Sequence, residues 1–188
     1  MILQAVTPPL SANKPPAPMT TIVLHATAGS TARSSIDWLR SQGLGYHFII
    51  ARDSKDTAST AKADGSQSIV YHCVSTGHWV SHVGSHIPLP GGHRANRIGI
   101  GISLANRQNG EPYTAAQIAA LDEVIALVRK QRPSVTHLTT HAVIQPWNRR
   151  DPLQIDAKAL AKAHGLIWFE PTAAEIAAYK PKPIKKPK

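Results

Sequence analysis

The sequence predicts an α/β fold: a single domain with a mixed central β-sheet flanked by helices. Two observations carry this prediction. Short runs of β-branched and apolar residues alternate along the chain with segments of helical periodicity, and no internal repeat is visible. At 188 residues and 42% hydrophobic content, the chain is long enough for one ordinary core and hardly for two.

Residues 1–19 contain Pro8, Pro9, Pro15, Pro16 and Pro18 and read as an extended, weakly ordered Pro-rich arm. Order is expected to begin at TTIVLH (20–25), a buried strand broken by Gly29 and Ser30. Ile36 and Leu39, with Trp38 nearby, predict a short helix over 34–42 ending at Gly43. YHFIIAR (46–52) and SIVYHCV (68–74) are the next two strands, and 75–96, rich in Gly, Pro and His, reads as loop. RIGIGISLAN (97–106) alternates and returns to strand. The clearest helix is 114–131, with Thr114 as cap, Ile118, Leu121, Ile125 and Val128 along one face, and Pro133 enforcing its end. A short strand near 135–138 leads into HAVIQPWNRRDP, too rich in Pro, Trp and Arg to be regular. A last helix is expected over 156–164, closed by Gly165. The domain proper therefore covers 20–170. The tail, 171–188, is expected to form a short helix to Tyr179 and then an extended basic arm.

Composition removes several classes. No apolar run approaches the roughly 20 residues that span a bilayer. The N-terminus lacks a basic segment followed by a continuous apolar stretch, so a secretory signal is not expected. One cysteine, Cys73, excludes an internal disulfide framework and any multi-thiolate zinc site; it reads as a small buried hydrophobe. The net charge is +10, and half of it lies in the last nine residues, which hold Lys180, Lys182, Lys185, Lys186 and Lys188 and no acid. The basic tail has only Tyr179 as an aromatic, so nucleic acid is not the expected partner.

Ten histidines are the unusual feature. His25 ends a buried strand, where α/β active sites open. His141 follows another strand, and Asp151 closes the ensuing loop. Two imidazoles and a carboxylate suit hydrolytic zinc, with one coordination position left open. In a chain this rich in histidine, a His–Asp pair is more often a core or surface pair, and spacing alone does not separate the two readings.

Five segments in order, IVLHATAG, GYHFIIARD, WVSHVG, NRIGIGISLAN and HAVIQPWNRRDP, resemble motifs of the zinc-dependent N-acetylmuramoyl-L-alanine amidases. This type-2 amidase family includes phage lysozyme-amidases, muropeptide amidases and peptidoglycan recognition proteins, and the likeness spans roughly residues 20–165. The resemblance implies a mixed sheet with helices on its faces. It also implies zinc held by His25, His141 and Asp151, and hydrolysis of the lactyl amide joining muramic acid to L-alanine. It makes Tyr46 the residue beside the zinc-bound water. Ser103 stands where muropeptide-recycling members tend to carry a glutamate, and Arg149 where the family often has lysine. Arginine suits an oxyanion but stays protonated, so it does not readily supply the leaving amine's proton.

His82 matches a frequent pocket histidine and is read as a substrate contact or a structural hydrogen bond. Asn96 and Arg97 are read as closing the groove over the peptide stem or as a solvated turn. His47, by alternation on the opposite face from Tyr46, reads as a core or sheet-face histidine. Trp147 either packs under the ligand loop or lines the groove. With no signal expected and no separate wall-binding module, the chain looks like a monomeric phage or prophage endolysin. Such a protein would accumulate in the host cytoplasm and act on the wall; a recycling amidase, a toxin effector and a non-catalytic peptidoglycan-binding module are the alternatives. The lysine-rich tail is read as a tether to an anionic envelope or as a solubilising extension. If it tethers, removing residues 180–188 weakens lysis of whole envelopes, most at low salt, and leaves cleavage of small soluble muropeptides unchanged. Turnover on both substrates across a salt series checks this.

Overall fold

The computed structural model describes residues 1–10, 13 and 18–181. Seven strands form one sheet in the order β1 (Ile2–Ala5), β4 (Ile69–His72), β3 (Phe48–Ile50), β5 (Gly99–Leu104), β2 (Thr21–Ala26), β6 (His137–Thr140), β7 (Ile167–Trp168). Only β3 and β4 pair antiparallel; every other neighbour is parallel. Parallel strands are covered on both faces and so read as continuous apolar runs. That is why TIVLHA and GIGISL were recognisable, and every residue of β2 and β5 is buried.

Alternation divides the sheet. On one face Ile22, Leu24, Ile100, Ile102, Leu104, Phe48 and Ile50 pack against α3 (Ala115–Gln131) and α5 (Ala157–Ala163). On the other, Val23 and Ile49 pack with α1 (Ala32–Ser41), α2 (Ala95–Ile98), α4 (His141–Ile144) and the 75–96 loop. Helix α3 opens with a reciprocal capping box: Gln117 N donates to Thr114 Oγ1 at 3.0 Å and Thr114 N to Gln117 Oε1 at 3.1 Å. Thr114 Oγ1 also donates to the Arg52 carbonyl at 2.7 Å, tying the helix start to the end of β3. A seven-residue helix, α6 (Ala173–Tyr179), follows β7. Among the described residues, no helix is long and apolar enough to cross a membrane.

Several expectations need correction. Order does not begin at residue 20. Ile2–Ala5 form a parallel edge strand on β4, whose four exposed side chains give no hydrophobic pattern to read. Ile118 stands 36% exposed at the margin of α3, and the buried stripe runs instead through Leu121, Val124, Ile125 and Val128. HAVIQPWNRRDP is not wholly irregular: Thr140 caps a single helical turn, α4, that starts at His141. The lysines beyond Pro181 lie outside the described residues. Replacing Thr114 by Ala removes the cap acceptor and the bond to β3, and is expected to lower stability by about 1–2 kcal/mol, read from the urea midpoint.

Candidate functional site

The parallel register sets the site. Leu24 lies opposite Thr140, so the next residues, His25 and His141, emerge side by side where β2 and β6 end. Their rings lie 4.5 Å apart. Asp151 returns to this point because the Ala142 N–H donates to its carbonyl at 2.9 Å and the Ala26 N–H donates to Oδ2 at 3.2 Å. Ligand atoms of His25, His141 and Asp151 all fall within 4.8 Å of one another.

Both imidazoles are held in one orientation by their Nε2 atoms. Nε2 of His141 lies 3.2 Å from Gln145 Oε1, an acceptor, so it carries the proton. Nε2 of His25 lies 2.9 Å from Nδ1 of His82. The Nδ1 atoms then turn toward the Asp151 carboxylate, 3.1 Å away for His141 and 3.8 Å for His25. His25 is fully buried, and its Nδ1 has no hydrogen-bond partner among the described residues. Burial, then the neighbouring His141 and His82, hold His25 well below the ordinary imidazole range, so it is neutral. A buried ring nitrogen left without a hydrogen-bond partner, 3.8 Å from a carboxylate oxygen, is an orphaned polar atom that a cation between the two would satisfy. The donor set, two imidazoles and one carboxylate, fits zinc.

The surroundings serve this geometry. Tyr46 packs its ring on His25, centroids 4.8 Å apart. Burial, then the Asp151 charge, raises its pKa, so it is a neutral phenol. Gly101 makes room for two partners at once: a Cβ there would stand 3.1 Å from the His82 ring and 3.2 Å from Tyr46. His47 has both nitrogens satisfied, Nδ1 accepting from Gly101 N at 3.0 Å and Nε2 donating to the His78 carbonyl at 2.8 Å. Its place differs from the alternation argument, because β3 starts only at Phe48 and a bend at His47 leaves both Tyr46 and His47 near His82. Cys73 is buried and its thiol is pushed up to about 12 by burial, which makes it inert.

Over His141 and Asp151 opens a cleft of about 950 Å³, bordered by Tyr46, His82, Trp38, Trp147, Arg149 and Arg150, with His25 buried beneath it. Trp38 is 58% exposed at its rim, and Trp147 lines it. Arg149 is exposed, and its charge is felt by His25 and Tyr46. Asn96 and Arg97 do not border the cleft. Asn96 instead binds the loop carrying His82: its Oδ1 accepts from the N–H groups of His82 and Val83, and its Nδ2 donates to the Val83 carbonyl, each at 2.9 Å. Arg97 sits over the Trp79 ring, 5.9 Å from its centroid. Both precede β5, whose start pairs with Thr21 at the far end of β2 from His25, and their side chains are spent on the loop.

A family model described as N-acetylmuramoyl-L-alanine amidase matches residues 15–154. The chain belongs to this amidase family. The fold agrees with solved structures of low identity. The selenomethionine derivative of AmpD shares 21% identity over 86% of this chain and 93% of its own, with a TM-score of 0.66. AmiD from E. coli, in complex with anhydro-N-acetylmuramic acid-L-Ala-D-γ-Glu-L-Lys, shares 22% over 87% of this chain and 64% of its own, at 0.60. The Ph2119 endolysin from a Thermus scotoductus bacteriophage shares 20% over 83% and 90%, at 0.56. No curated protein sequence matches this chain.

Within this family member, Gln145 was not singled out from the sequence, although its position four residues after His141 puts it on the same helical face. Gln145→Ala removes the acceptor that sets the His141 tautomer and is expected to weaken zinc binding by about 10- to 100-fold. Gln145→Glu, which keeps an accepting oxygen, should retain more of it. Competition with a chromophoric chelator measures both.

Proposed function

We propose that this chain is a zinc-dependent N-acetylmuramoyl-L-alanine amidase that hydrolyses the amide between N-acetylmuramic acid and L-alanine in peptidoglycan, acting as a phage or prophage endolysin. The observation that carries this reading is the convergence of two Nδ1 atoms and one carboxylate at the floor of a large cleft, in a member of the amidase family. The muropeptide held by AmiD supports a ligand of the same kind here.

His25 and His141, through Nδ1, and Asp151 would hold the zinc, which when bound supplies a Lewis acid for the substrate carbonyl and for water. The protein's own residues do the rest. Tyr46, as a neutral phenol, orients the attacking water by hydrogen bonding. Arg149 stabilises the negative charge that develops on the carbonyl oxygen. Because a guanidinium does not readily release a proton, the leaving amine of L-alanine takes the proton given up by the attacking water, relayed by the Tyr46 hydroxyl. The water oxygen bonds the lactyl carbon, the C–N bond breaks, and the products are a lactyl carboxylate and a free alanine amino terminus. His82 keeps His25 oriented and lies at the cleft wall, where it also meets substrate.

The endolysin assignment rests on the cationic chain, its lysine-rich tail and Ser103, which takes the place of a recycling enzyme's glutamate. The protein is then a monomer that accumulates in the host cytoplasm and meets the wall after the membrane is breached, its tail against the anionic envelope. The purified chain should hold one zinc, and mass spectrometry of digested peptidoglycan should find new alanine amino termini that disappear on chelation, with sacculi preferred over soluble anhydro-muropeptides. Cleavage at any other bond refutes the reaction. Sedimentation with walls without release of amino termini marks a binding module, and a preference for soluble fragments marks a recycling enzyme.

A further inference from the structure

The loop from Gln145 to Asp151 presents two successive arginines into the cleft, and only Arg149 has a part in the reaction above. The mount is rigid. The N–H groups of Asn148 and Arg149 both donate to the Gln145 carbonyl, at 3.4 and 3.1 Å. Gln145 Nε2 donates to Asn148 Oδ1 at 2.7 Å, and the Asp151 carbonyl accepts from Ala142. Among the described residues neither guanidinium pairs with a carboxylate, whereas Arg40 lies 3.7 Å from Asp37 and Arg52 lies 3.9 Å from Glu111. The acid that borders the cleft is Asp151, and its Oδ2 already accepts from Ala26 N and faces His141 Nδ1 at 3.1 Å rather than either arginine. The cleft wall therefore carries two uncompensated positive charges beside the metal ligands, a field that selects an anionic group on the ligand.

The muropeptide chemistry offers one close to the scissile bond. In L-Ala-D-γ-Glu the glutamate is linked through its side-chain carboxyl, which leaves its α-carboxylate free one residue beyond the alanine. An extended residue spans roughly 3.5 Å, so that carboxylate stands roughly 4–7 Å from the scissile amide. Arg150 adjoins the ligand Asp151, and its planar fork matches a carboxylate in bidentate fashion. We infer that Arg150 is a specificity-determining residue that pairs with the α-carboxylate of the γ-linked glutamate, so that the cleft prefers stems with a free glutamate over stems in which this carboxyl is amidated. The inference rests on the proposed amidase reading.

Two muramoyl dipeptides test it, MurNAc-L-Ala-D-isoglutamate and MurNAc-L-Ala-D-isoglutamine, which differ only in amidation of that carboxyl. The zinc enzyme should favour the acid form by about 10- to 100-fold in kcat/KM, the range of a hydrogen-bonded charge pair. In Arg150→Gln that ratio should fall close to one, and Arg150→Lys should keep part of it. The same ratio should appear in binding, measured by calorimetry on the full chain after chelation. A ratio that Arg150→Gln leaves unchanged overturns the inference, as does a wild-type ratio near one. If binding shows the Arg150-dependent ratio while no alanine amino terminus is released with zinc present, the specificity role stands and the catalytic reading falls.

Discussion

The site depends on one buried hydrogen bond, from His25 on the central strand to His82 on an irregular loop. An imidazole at the end of a fully buried strand has no water to fix its orientation, so the protein must do so. That need accounts for much of the 75–96 loop. His82 is useful only if its backbone is held, and Asn96 spends all three of its side-chain hydrogen bonds on the two residues at that point. His86 secures the same stretch, its Nδ1 donating to the Gly84 carbonyl and its Nε2 accepting from Ala95 N. Gly101 supplies the space in which the His82 and Tyr46 rings meet. Loops of this length without regular structure are usually functional, and here the function is to aim one ring.

The charges follow from the same burial. Two imidazoles, that of His25 neutral, and an oriented carboxylate make a site suited to a divalent cation, while the arginines stand at the solvent edge where their own hydration is retained. Positive charge at the rim and a carboxylate at the floor keep the two roles apart. The ligand set is held by hydrogen bonds that need no arginine, so the rim is free to vary with the substrate. In the proposed reaction, Arg149 in place of lysine is such a variation, since a guanidinium does not readily give up a proton.

Much of this was legible in the sequence because parallel strands covered on both faces carry dense apolar runs. Residues 20–25 and 97–106 predicted β2 and β5, and Thr114 marked a helix cap that the structure uses. The ligand triad was readable through local motif order, and its members converge. What stayed hidden lacked a local signature. The edge strand Ile2–Ala5 is exposed and contributes only backbone bonds. The role of Asn96 comes from a loop crossing back to residues 82 and 83, which no periodicity encodes. Tyr46 and His47 were separated by strand alternation, but the strand begins one residue too late for the rule to apply.

The strand order has a consequence for the newly made chain. Strand β2 is made well before its two neighbours, β5 and β6, which end at Leu104 and Thr140. At ordinary elongation rates, the interval between Ala26 and Thr140 is on the order of ten seconds. For that time TIVLHA lacks a partner on at least one edge, and it is both β-prone and uncharged. The segment that carries His25 is thus open to non-native strand pairing until the rest of its sheet has been made.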